Sequence, residues 1–147
     1  MENHDSASAL SDLTQVQSSM QLLSKPVRGE AAYHFLLGLA TGVAVFAQGF
    51  EPMGPIIGSL TLLISLALLI TWWKKTHRWW VSGLGPTKAR WWAVALIPLL
   101  AIAYLTSLVA QDPWVSLATG LSAMIATTAA GHQWMRVWRK ELAEGAQ

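Results

Sequence analysis

The side chains with the most chemistry to offer are three histidines, His34, His77 and His132. Imidazole binds transition metals and titrates near neutral pH, so three of them at one depth could hold a metal or sense protons. His34 falls about one turn into an apolar stretch, His132 near the end of another, and His77 in the basic segment between two more. All three are expected near one face of a membrane. The spacing lacks H-x₃-H and H-E-x-x-H, and the reading gives none of them a carboxylate within its own helix. Histidines hydrogen-bonded at an interface are therefore the expectation, with no metal and no cofactor. Cysteine is absent, which removes disulfides and thiol chemistry. Ser82-Gly83-Leu84-Gly85-Pro86 has glycines but not the lysine, strand and helix of a phosphate-binding loop. No nucleophile–base pair and no two-carboxylate arrangement is present, so an enzyme is not expected.

The elements that would position these groups are written in the charge pattern. Only 12% of residues are charged, about half the usual share for a soluble domain. No charge occurs from Pro52 to Trp73, from Trp91 to Gln111 or from Pro113 to Met135, and Ala31 to Phe50 is interrupted only by His34. A hydrocarbon core of about 30 Å needs about 20 helical residues, and each run suffices. The runs lack the polar positions at a helical period that a soluble bundle would show. The expected fold class is all-α: a membrane four-helix bundle with spans near 31–50, 56–73, 91–110 and 114–133. A leader over 1–28 precedes the bundle and a tail over 141–147 follows it. The first thirty residues lack the apolar core of a cleavable signal peptide, so the first span is expected to direct insertion.

Orientation follows from the bases. Trp72-Trp73-Lys74-Lys75, Arg78-Trp79-Trp80 and Lys88-Ala89-Arg90-Trp91-Trp92 alternate indoles with cations, and Trp134, Arg136, Trp138 and Arg139 follow the last span. Indoles favour the membrane interface, and lysine and arginine its cytoplasmic side. With both termini cytoplasmic, all ten Lys and Arg lie inside, whereas the two outer turns carry only Glu51 and Asp112. These anchors are also expected to meet membrane lipids, each base adding about 1 kcal/mol near anionic headgroups. A net charge of +2 gives no reason to expect nucleic acid.

Two patterns suggest association. Leu13, Val16, Met20 and Leu23, continued by Val27, step by three and four as in a heptad seam, predicting an amphipathic cytosolic helix that ends before Pro26. Its rival is a helix resting on the membrane surface. Within the spans, Gly38 and Gly42 form a GxxxG. Ala118, Ser122, Ala126 and Ala130 form one small-residue row, beside a second of Thr119, Ala123, Thr127 and Gly131. Small residues let membrane helices approach closely. Pro98 should kink or loosen the third span.

Proton-coupled antiport needs a carboxylate inside the bundle, so the likeness to small multidrug transporters stops at size. Tyr33-His34, Trp80-Val81-Ser82-Gly83-Leu84-Gly85-Pro86 and Trp138-Arg139-Lys140-Glu141-Leu142 together resemble a family of uncharacterised small four-helix membrane proteins of actinobacteria. That resemblance implies a bacterial plasma-membrane location and no particular activity. The expected role is a non-enzymatic accessory or regulatory one, through a homo-oligomer or a membrane protein partner. A small oligomeric transporter or pore is the alternative.

Overall fold

The computed structural model describes residues 27–77 and 88–145. The seam at Leu13, Val16, Met20 and Leu23 lies outside them, as do Arg78, Trp79, Trp80 and Ser82 to Pro86. The described residues form four helices, α1 (Glu30–Ala47), α2 (Gly54–His77), α3 (Arg90–Ala110) and α4 (Pro113–Gly145). All four are long and apolar enough to cross a membrane. Short turns join α1 to α2 and α3 to α4, so the chain runs up, down, up, down. One end collects these turns. The other, the basic end, collects Arg28, Lys74, Lys75, Lys88, Arg90, Arg136, Arg139 and Lys140.

Three helix boundaries have visible causes. The expected 31–50 span ends at Ala47 instead, because the Gln48 side-chain amide donates to the Ala44 carbonyl at 2.8 Å and closes the helix. Asp112 starts α4: its Oδ1 accepts from the backbone N–H of Trp114 (2.8 Å) and Val115 (3.1 Å), with Pro113 at the first helical position. The expected end near 133 is corrected most. Helix α4 has 33 residues, about 50 Å of helix, and runs well past any bilayer core. No proline interrupts 134–144, and Met135, Trp138 and Leu142 repeat at helical spacing to pack with Ala89. Pro98 is accommodated within a continuous α3.

Packing is centred on α1 and α4, which lie against each other most extensively. Helix α2 then leans on α1 and α3 on α4, while α2 makes no comparable packing with α3 or α4. The bundle is therefore open along the α2–α3 seam. Small and polar side chains fill the interior: Ala40, Thr41, Ala44, Val45, Ala103 and Ala123 are buried, while Ile64, Leu68, Ile102 and Ile125 are more than half exposed. In water this arrangement would be inside out. It suits a lipid surround, where tails as apolar as leucine would not drive leucine inward and close backbone approach would favour small residues.

Candidate functional site: two buried polar nests

Polar side chains are buried at both ends of the α1–α4 interface. At the basic end Glu30 opens α1, where the helix dipole favours an acid, and pairs with the Arg139 guanidinium on α4. Both side chains are largely buried. One turn along α1, His34 is buried with its ring 5.3 Å from that of His132. A carboxylate thus accompanies His34 on its own helix, contrary to the sequence reading. The His34 ring presses on Gly131, where a Cβ would come within 2.8 Å of Cγ, and its Nδ1 has no hydrogen-bond partner. The Thr128 hydroxyl donates to the His34 carbonyl at 3.4 Å.

The third histidine stands apart. Tyr33 lies between His34 (5.5 Å) and Trp73 (5.0 Å), and Trp73 stacks on His77 at 4.0 Å. His77 Nε2–H donates to the Arg28 carbonyl at 3.0 Å. So His34 and His132 come together, and the Tyr33 and Trp73 rings link His77 to them. Among the described residues no three His, Cys, Asp or Glu side chains are placed to share a metal.

The α4 extension is tied down next to this nest. The Lys88 backbone N–H donates to the Glu141 carboxylate, and the Lys88 ammonium bonds Glu144 at 3.0 Å. The Glu144 hydrogen bond and charge, with help from Glu141, raise the Lys88 ammonium above the usual lysine value. Of the expected anchors, Trp72, Lys74, Lys75, Arg90, Trp91, Trp92 and Arg136 are exposed, with Arg90 over the Trp91 ring at 5.7 Å. Trp134 is half-buried and stacks on Trp138 at 5.7 Å. Trp73 and Trp138 are buried packing residues.

At the turn end Gln48, Ser107 and Ser116 are fully buried, and Gln48 Oε1 and both serine hydroxyls lack partners among the described residues. Gly49 leaves room for them: a Cβ there would collide with the Ser116 side chain and lie 3.6 Å from the Ser107 carbonyl oxygen. Between the nests sit Val45, Ala103 and Ala123, with Leu100 against them.

Gly38 and Gly42 both face α4. A Cβ on Gly38 would meet the Met124 carbonyl at 2.7 Å, and one on Gly42 the Gly120 carbonyl at 2.8 Å. The face of α4 they meet carries Gly120, Met124 and Thr128, continued by Ser116 against Gly49 and Gly131 against His34. In one expected row Ala118 and Ser122 are exposed and Ala126 and Ala130 half-buried. The closest contact with α1 is therefore made by a third row, Ser116, Gly120, Met124 and Thr128, in which Gly120 lets α1 in; of the expected rows, Gly131 meets α1 against His34.

Glu30, Gln48, Ser107 and Ser116 are the residues sequence reasoning missed. A signal existed at one end only: Glu30 precedes His34 by one turn, and Arg139 follows His132 by two, so each pair shares a face. No protein family, curated protein or solved structure matches the chain.

Proposed function

We propose that the chain is a multi-pass protein of the bacterial plasma membrane, both termini cytoplasmic, that acts by association rather than by catalysis. The sorting of bases to one end supports the orientation, and the likeness to the small actinobacterial proteins supports the location. The observation that carries the reading is the α4 extension. Its apolar side is held by Ala89, Met135 and Trp138, and Glu30 and Lys88 fix its charged side. Arg136 and Lys140 point outward from it. A helix held this firmly beyond the span presents a fixed cytoplasmic surface for a membrane protein partner. Apolar grooves on either side of the Leu39–Val43 ridge suit lipid chains.

Native mass spectrometry of the protein, extracted in lipid nanodiscs from its host, tests this. A recurring heterologous partner is expected, lost in Arg136→Glu/Lys140→Glu with thermal stability unchanged. Only lipids and further copies of the chain would defeat the proposal. Deleting residues 1–24 separates the α4 surface from the Leu13–Leu23 seam as the contact.

A second reading, an oligomeric transporter or pore, draws on the unpartnered polar atoms of the interior. It requires solute flux in proteoliposomes, altered by bulky substitutions at His34 or Thr127.

A further inference from the structure

We propose that the groove between α1 and α2 binds one anionic phospholipid, with a chain in the groove and its phosphate at Arg28 and Lys75. The groove is a cavity of about 340 Å³, lined along α1 by Leu36, Leu39 and Val43 and along α2 by Thr61, Ser65 and Leu68. Both walls continue in step toward the basic end. On α1 the spacing of three and four residues runs back from Leu36 to Ala32 and Gly29, and on α2 it runs on from Leu68 to Trp72 and Lys75. Residues so spaced share one face of a helix. The walls meet at the top: a Cβ on Gly29 would touch the Trp72 ring at 3.6 Å, and His77 bonds the Arg28 carbonyl at 3.0 Å.

Length and charge identify the occupant. From Gly29 to Val43 the chain rises about 21 Å, and one leaflet with its headgroups is about 20–22 Å deep. The stripe therefore matches one lipid from headgroup to chain end. Arg28 and Lys75 are exposed, and neither is in an ion pair among the described residues. Lipid phosphate is the anion at that depth, and basic pockets at the cytoplasmic ends of membrane helices hold it. The leaflet assignment rests on the cytoplasmic orientation proposed above. A second copy of the chain fits less well. Of the described acids, Glu51 and Asp112 lie at the turn end, Glu30 is buried with Arg139, and Glu141 and Glu144 serve Lys88. None is left for the two bases. The groove between α1 and α4 supplies a contrast within the molecule. It is smaller, about 150 Å³, and runs to Phe46 and Leu117 at the turn end, away from every described base.

Lipid retention by the purified full chain tests the site, read by native mass spectrometry from detergent with phosphatidylglycerol and phosphatidylcholine in equal supply. Detergent has no sides, so the result stands whether or not the proposed orientation and protein partner hold. Each base near an anionic headgroup favours it about fivefold, so one retained lipid is expected, with phosphatidylglycerol preferred on the order of twentyfold. Arg28→Gln and Lys75→Gln should each cut that preference about fivefold, while Arg90→Gln, at an exposed base on α3, should leave it unchanged. Ser65→Phe fills the groove and should abolish retention of both lipids with the helical circular dichroism intact. Equal retention of the two lipids would overturn the proposal. So would a loss with Arg90→Gln as large as that with Lys75→Gln, because surface charge alone would then explain the preference. Undiminished retention in Ser65→Phe, or a lipid-free pair of chains, would overturn it as well. Should Ser65→Phe fail to fold, the comparison of Lys75→Gln with Arg90→Gln decides alone.

Discussion

The two ends of the α1–α4 interface treat buried polarity in opposite ways. At the basic end Glu30 answers Arg139 across helices, 109 positions apart in sequence. At the turn end they are an amide and two hydroxyls, and the Ser107 and Ser116 hydroxyls have no partner among the described residues. An apolar layer separates them. Charge is tolerated where α4 carries its arginine back against the first turn of α1, near the edge of the span. At the turn end, where Gln48 closes α1 and Ser116 lies in the first turn of α4, only neutral groups are buried. The Glu30–Arg139 pair makes the basic end a clasp, although His34 Nδ1 and Arg139 Nε have no partner among the described residues.

The sharpest way to break this contrast is to open the clasp. Glu30→Ala or Arg139→Ala strands the surviving charge and should cost about 3–5 kcal/mol, read as a large fall in Tm in nanodiscs. Glu30→Leu/Arg139→Leu should lose far less than the sum of the two. If the double loss were additive, the pair would not be acting as a unit. Next in size, Gly42→Val wedges α1 from α4 and should cost about 1–3 kcal/mol, measured by the same unfolding and affecting both ends together. A smaller effect, confined to the turn end, is expected for Gly49→Ala, about 1 kcal/mol, because its methyl would crowd Ser116. Smallest of all, Ser122→Leu on the exposed row should fall within about 0.5 kcal/mol. A larger loss there would place α4 in the other register.

The number of spans and their approximate places were legible, because they depend on composition along the chain. The close packing at Gly38 and Gly42 was visible as a motif, although its partner face was not. The Trp-rich stretch was harder to read. All its indoles look alike in sequence, yet Trp73 and Trp138 pack inside while Trp91 and Trp92 remain exposed. The α4 extension was hidden because Arg136, Arg139 and Lys140 draw attention from Met135, Trp138 and Leu142, whose spacing continues the helix. The nests were least visible. Ser107 and Ser116 are two of many hydroxyls in apolar helices, and nothing local marks the ones that are buried without returning to their own backbone.

By itself, then, the sequence determined that four helices form, where they start and stop to within a few residues at most ends, and that the bases gather at one end. Those properties follow from local composition, capping and breakers. Only the tertiary structure decided how each helix is turned about its axis: which row of α4 meets α1, that Glu30 finds Arg139, that two histidines meet and a third does not, and that the α2–α3 seam stays open. Rotation about an axis is fixed by contact with other helices, and a pattern written along one helix leaves its partner unspecified.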